Sequence, residues 1–411
     1  MANRPEFFTL MVFSISILLK TESFVLDTAT IKCLPRSPSC SCGTFQTFEN
    51  NKEIQASNIY CDETSDVFPD FSVISKPVIN GSSWYIGLTK NNFTHIPGGL
   101  FTGLTPVNLN ETYLYLDLNE NHISKIENNA FVGMENIYVE MDLSDNNLSS
   151  MPLAFLVLKQ LRGISLQFNP IKVIDHIVLQ HLAPTLTYYE MGIGNLSTWP
   201  ADISSFTQVF AVTLFDVQQY KFPQRPFYGS ENMIKGMHIH GSDLDTLPCG
   251  FTDLSVLDVL TIHQSPNLNA TDLVEVCRKN YTLSSTLHEI HLVEGALNEF
   301  PDILKYTPML KRLNLYSNKI RYVNEDFIPM NNVLTDLMLS YNNLQTIPNS
   351  FLRFRHLRHL ILDNNNIATV LPELERIFQN PYSRLCLRDN PINATALTVK
   401  CSLSRDSWAR N

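Results

Sequence analysis

The chain has 411 residues, 44% hydrophobic and 17% charged, with a formal net charge of −10 at pH 7. That length supports a large continuous core, and nothing in the composition reads as low-complexity or disordered. The acidic balance argues against a nucleic-acid partner, because phosphate-binding surfaces rest on clustered Lys and Arg, and no basic run marks a membrane-surface segment.

At the N-terminus, Arg4, the apolar run Phe7 to Leu19 and the polar stretch Lys20 to Ser23 read as a signal peptide over residues 1–23. The run is too short for an ordinary membrane span, with an uncleaved anchor as the alternative. No later stretch approaches the roughly 18 apolar residues of a spanning helix, and the polar end 402–411 lacks a lipid-anchor tail. The expected product is secreted and extracellular, without a transmembrane segment. Cys33, Cys40, Cys42 and Cys61 come next. In a secreted chain they form a disulfide framework rather than a zinc site, with three pairings open. They define a cysteine-rich N-terminal cap over residues 24–83.

Residues 84–392 carry one pattern about thirteen times, the last copy partial: a leucine-like residue, a spacer, a second leucine-like residue, two spacers and usually asparagine. Clean copies are Leu116-x-Leu118-x-x-Asn121, Met141-x-Leu143-x-x-Asn146, Ile164-x-Leu166-x-x-Asn169, Leu313-x-Leu315-x-x-Asn318, Leu337-x-Leu339-x-x-Asn342 and Leu360-x-Leu362-x-x-Asn365. Weaker copies start at Ile86, Tyr189, Val212, Met237, Leu260, Ile290 and Leu385, and the starts fall 23 to 30 residues apart. In a short strand, alternate side chains point to opposite faces, so the paired leucines enter the core and the residue between them faces outward. The asparagine follows the strand, where its amide can satisfy turn and neighbouring backbone groups as a ladder. Ile96-Pro97 with Phe101, Met151-Pro152 with Phe155, and Ile347-Pro348 with Phe351 complete each buried layer. The predicted fold is an α/β solenoid, a leucine-rich repeat horseshoe with a parallel β-sheet on the concave face and an irregular or short-helical convex side.

Eight Asn-x-Ser/Thr sequons, at Asn80, Asn92, Asn110, Asn147, Asn195, Asn269, Asn280 and Asn393, predict N-glycosylation. Asn92, Asn147 and Asn195 share the slot just after the ladder position, so they fall on one exposed flank. Cys249 and Cys277 lie in consecutive repeats and read either as a bridge or as two buried thiols.

The outward strand positions form columns suited to binding. The first repeats offer Tyr115, Asp117, Asn119, Glu140, Asp142 and Ser144; the middle ones offer Glu190, Phe215, His238, His240, His263 and His291; the last offer Tyr316, Met338, Tyr341, Ile361 and Arg388. Phe215, His240, His263, Tyr316 and Tyr341 are the candidate partner anchors, since interfaces favour aromatic centres within polar rims. His238, His240, His263 and His291 admit three readings: a zinc or copper site, a contact that charges below about pH 6.5, or an ordinary polar face. No Cys or firm carboxylate ligand accompanies them in the pattern, and no cofactor is expected. His288-Glu289-Ile290-His291 fails as a protease motif because its histidines are three apart and enter a strand. No nucleophile elbow or phosphate-cradling loop occurs, so the chain reads as non-enzymatic.

From Cys33 to Trp408 the chain resembles extracellular leucine-rich repeat proteins with a cysteine-rich N-terminal cap. That group includes receptor ectodomains of the Toll kind, small matrix proteoglycans and secreted signalling antagonists; the non-catalytic subunit of shrimp luciferase is a looser likeness. The resemblance implies Cys33–Cys42 and Cys40–Cys61 bridges. The C-terminal cap segment, 393–411, departs from the family: Asn393 and Ala394 stand where paired cysteines usually follow Asn390-Pro391. A Cys386–Cys401 bridge then requires the tail to fold back over the last strand. The resemblance implies a binding protein for an extracellular protein partner. Its alternatives are a non-catalytic accessory subunit of an extracellular enzyme, or a soluble innate-immune pattern-recognition protein that binds glycan or lipid.

Overall fold

The computed structural model describes residues 40–49, 52–61, 66–69, 71, 83–104, 113–217, 223, 225–247, 249–269, 271, 285–378 and 382–392. The expected leader, Cys33, Cys277, Cys401, Asn80, Asn110, Asn280 and Asn393 lie outside that set, as do the side chains of Cys42 and Cys249. The chain divides into two compact units, Met1–Ser197 with Ser205–Val209, and Thr198–Ser204 with Phe210–Asn411.

In the first unit, strands Cys40–Glu49 and Lys52–Cys61 form an antiparallel hairpin in which Cys40 faces Cys61. These two cysteines are disulfide-bonded. The second hairpin strand pairs in parallel with Ser83–Gly87, so the cap extends the repeat sheet by its own backbone. Tyr113–Asp117, Tyr138–Asp142, Leu161–Ser165 and Tyr188–Gly192 then add in parallel, one per repeat. At the start of Tyr113–Asp117 burial alternates as the leucine spacing predicts, Leu114 and Leu116 being buried and Tyr113 and Tyr115 half-buried, although Asp117 after them is buried too. Behind the sheet, one phenylalanine per coil builds a stack. Phe71, Phe101, Phe131 and Phe155 are buried, with successive ring centroids 5.3, 6.0 and 5.8 Å apart.

The second unit repeats the plan. Ala211–Val217, Gly236–Ser242, Val259–His263, Glu289–Val293, Arg312–Asn314, Asp336–Met338, His359–Ile361 and Arg384–Cys386 pair in parallel in that order. The return segments are short: 3-10 turns at Asp302–Lys305, Glu325–Phe327 and Asn349–Arg353, and a helix at Pro372–Ile377. Repeats of this length leave few residues for the return, which favours the tighter 3-10 turn over a longer α-helix. Pro301 and Pro348 sit at the N-caps of two of these turns, where a fixed φ helps and the missing N–H costs nothing. Cys386 is disulfide-bonded, although its expected partner falls outside the described residues.

The asparagine ladder has the same geometry in both units. Asn146 Nδ2 donates to the Leu118, Leu143 and Ser144 carbonyls at 2.9, 3.2 and 3.1 Å, while its Oδ1 accepts from Ile123 N at 2.8 Å. Asn169, Asn318, Asn342 and Asn365 make the corresponding bonds in their own coils. Each amide therefore ties its own turn to the preceding strand. The degenerate middle repeats place Val217, Ser242, Ser265 and Gly295 in this slot, and there Ser242 Oγ and Ser265 Oγ share a hydrogen bond of 2.5 Å.

The residue before the ladder slot is left-handed repeat after repeat, from Lys90 (φ 56°) and Glu120 (φ 51°) through Gly241 (φ 62°) to Tyr341 (φ 57°) and Asp389 (φ 56°). This reversal ends the strand and aims the ladder amide back at the sheet. Among the described residues, no helix is long and apolar enough to cross a membrane.

Candidate functional site

Parallel register sorts the outward side chains of the second unit into columns. Thr213, His238, Thr261, His291 and Asn314 lie side by side in one; Phe215, His240, His263 and Val293 do so in the next. Tyr316 follows Val293 at the same position of the next repeat. The column is built of touching rings: Phe215 stacks on His240 at 4.8 Å, and His240 meets His263 at 5.2 Å. Phe215 is accordingly only 7% exposed. The alternation expected it to project freely; neighbouring rings on adjacent strands cover it instead, and it serves as the floor of the column.

For two of the four candidate histidines the structure speaks against the reading in which the set charges in mild acid. Burial holds His238 down at about 4 and His240 at about 3, His291 and His263 respectively adding repulsion, so both rings are neutral at pH 5.5. Their Nδ1 atoms are buried without a hydrogen-bond partner. His263 is also lowered by burial, against the opposing pull of Glu294, whose Oε2 lies 3.1 Å from its Nε2. His291 Nε2 meets Glu289 Oε1 at 2.7 Å, and Glu289 also pairs with Arg312. Carboxylates therefore do accompany two of the histidines, contrary to the sequence reading. They are spent on separate pairs, and among the described residues no three His, Cys, Asp or Glu side chains converge on a point that could hold a metal ion.

Tyr341 is not in an outward column. It occupies the left-handed turn one residue past Ser340, 45% exposed, and its ring meets Tyr316 edge-on at 5.1 Å. Glu190, expected to present its carboxylate, is 1% exposed and accepts from Ser165 Oγ at 2.6 Å.

The first unit carries a second set that the pattern did not single out as anchors. Tyr85 stacks on Tyr115 at 5.6 Å and Tyr113 on Tyr138 at 5.1 Å. Arg162 lies over the latter pair, 4.3 Å from the Tyr138 centroid and 5.2 Å from that of Tyr113. A register shift at Val139/Glu140 accompanies this placement, and no sequence rule applied to the repeats would have found it. Burial first, then Asp117 beside Tyr85 and Asp142 beside Tyr115, push both hydroxyls well above the phenol range. Burial also raises Glu140, against the attraction of Arg162.

Of the sequon asparagines, Asn92, Asn147, Asn195 and Asn269 are described, and all four are exposed.

Residues 115–171 and 308–367 match the leucine rich repeat family model. Asporin of Bos taurus is 27% identical over 135 residues, which cover 30% of this chain and 36% of asporin, little more than a third of that relative's length. A leucine-rich repeat protein of Leptospira interrogans superposes with a TM-score of 0.53 at 21% identity, covering 75% of this chain and 73% of that one. A chain of the Drosophila Toll–Spätzle complex gives a TM-score of 0.42 at 15% identity, over 86% of this chain and 59% of its own.

Proposed function

We propose that this chain, whose residues 115–171 and 308–367 match the leucine rich repeat model, is a secreted, glycosylated, non-enzymatic binding protein whose outward strand columns grip a protein partner. The observation that carries this reading is the column Phe215, His240, His263, Val293 and Tyr316: these side chains stand on the face opposite the leucine core, with the Phe215, His240 and His263 rings in contact and Thr213, His238, Thr261 and His291 in the column beside them. Fully seated aromatic residues ringed by polar groups are the usual energetic centre of an interface. Secretion is supported by the Cys40–Cys61 disulfide, which persists in oxidising compartments, and by four exposed sequon asparagines.

Two experiments test the reading. Expression in secretory cells should yield a protein whose apparent mass falls by several glycans on glycosidase treatment; a protein that stays in the cytosol, or an unshifted band, rules out the secreted glycoprotein. Capture from the native secretion, identified by mass spectrometry, supplies the partner. Tyr316→Ala and His263→Ala should then weaken partner affinity with melting temperature preserved, and parent-like affinity in both would eliminate this column as the contact.

A further inference from the structure

The outward face of the second unit changes character at its last three coils. In the middle column Thr213, His238, Thr261, His291 and Asn314 are polar, and the next three residues are Met338, Ile361 and Cys386. Ile361 is 5% and Cys386 0% exposed. Cys386 stands on Arg384–Cys386, the last strand of the sheet, which has a described neighbour on one side only. Arg388, two residues on, commits its guanidinium to Asp363 of the preceding coil at 2.9 and 3.1 Å. Complete burial of Cys386 therefore calls for cover from residues beyond the described set.

Its disulfide points to the source of that cover. Leu385 takes the core side and Cys386 the outward side, so the bonded partner reaches Cys386 from the outward face. Cys40 and Cys61 are bonded to each other. Cys249 begins the turn after Gly236–Ser242, six strands earlier and about 29 Å away along the sheet, whereas a bridge needs Cα atoms within about 7 Å. Cys401 is the nearest cysteine in the chain. Ile392, six residues past Cys386, lies within about 20 Å of it, and the nine residues from there to Cys401 span up to about 31 Å, so the reach suffices.

The sequence around Cys401 suits the same place. Leu397, Val399, Cys401 and Leu403 alternate with Thr398, Lys400, Ser402 and Ser404. In extended form that alternation gathers the apolar residues and Cys401 on one face. With Cys401 on Cys386, the apolar residues two and four before it fall about 7 and 13 Å along, against about 5 and 10 Å for Ile361 and Met338, close enough for branched and long side chains to meet.

We propose that segment 393–403 is a disulfide-held strap on the outward face of the last three coils, with Cys401 bonded to Cys386 and the Leu397, Val399 face laid on Met338 and Ile361. The strap closes that end of the binding face, so the columns open to a partner end at Tyr316. The test needs no partner, so this proposal and the binding-protein reading can fail separately.

Trypsin digestion of the full chain without reduction, read by mass spectrometry, should yield residues 385–388 linked to 401–405, because cleavage follows Arg384, Arg388, Lys400 and Arg405. Cys386 linked to any other cysteine would overturn the proposal. Peroxide oxidation of Met338 tests the cover, with Met309 and Met330, 42% and 59% exposed, as references in the same molecule. In the parent, Met338 should oxidise several-fold more slowly than either. In Cys386→Ala/Cys401→Ala it should oxidise several-fold faster than in the parent while the references hold. Equal rates at the three methionines in the parent, or an unchanged Met338 rate in the variant, would each overturn the strap. If the references shift as well, the double variant has disturbed the coils, and Val399→Asp, which keeps both cysteines, is read by the same criteria.

Discussion

Asn146→Ala should be among the most destabilising changes to a polar residue in this chain. The side chain is 4% exposed and makes four hydrogen bonds, three donated to carbonyls and one accepted from Ile123 N. Alanine leaves the Ile123 amide without its buried acceptor, while the Leu118 carbonyl keeps Asn121 Nδ2 at 3.0 Å. One unsatisfied buried group costs about 1 to 3 kcal/mol, and the lost Leu118 contact places the change toward the upper end. Asn390 makes corresponding bonds to Leu362, Leu387 and Arg388 carbonyls and accepts from Ile367 N, but it is only part-buried. Water can replace its bonds, so Asn390→Ala should cost about 1 kcal/mol. Urea unfolding of both variants gives the comparison, with amide exchange at Ile123 as a local report. If Asn390→Ala costs as much as Asn146→Ala, or if Ile123 exchange is unaltered in Asn146→Ala, the ladder is not holding successive coils together as argued.

Three further outcomes follow from the same geometry. His238 and His240 have folded-state values near 4 and 3, below the ordinary 6.5, so the unfolded chain binds more protons between those limits; stability is full above about pH 6.5 and falls on acidification toward pH 4 and 3. Each ring should contribute a loss of about 1 kcal/mol between pH 7.5 and 5.5, and His240→Asn should flatten the pH dependence of melting; an unchanged slope would show that the ring is not buried neutral. Phe131→Ala removes a fully buried ring stacked between Phe101 and Phe155 and should cost about 3 to 5 kcal/mol in denaturant unfolding, a loss below 1 kcal/mol being incompatible with a continuous stack. At the left-handed turns, Gly241→Val should lower melting by the equivalent of about 1 to 2 kcal/mol, whereas Glu120→Asn, which accepts the same backbone, should leave it level or raise it; a tolerated valine would refute the strain argument.

The periodic sequence determined the solenoid, the inward leucines, the phenylalanine layers and the ladder, because each follows from a repeating local rule: strand alternation, turn chemistry and the need of every coil for a neighbour. It also placed His240 beside His263, since equal positions in adjacent parallel strands must pair. What it could not determine was how deeply an outward residue lies. Phe215 and Glu190 face away from the leucines yet are buried, because cross-strand neighbours cover them. Burial of the same kind, through desolvation, holds His238 and His240 below the ordinary imidazole range, which speaks against one of the three readings open to them. Only the tertiary structure could show that the residue before the ladder slot turns left-handed in nearly every repeat, Tyr341 among them, which removes Tyr341 from the column assigned to it. Only it could bring Arg162 across a register shift onto Tyr113 and Tyr138, leaving Tyr85 and Tyr115 beside Asp117 and Asp142. Repetition fixes which face a side chain takes; what covers it there depends on residues a whole coil away, whose identities no local period constrains.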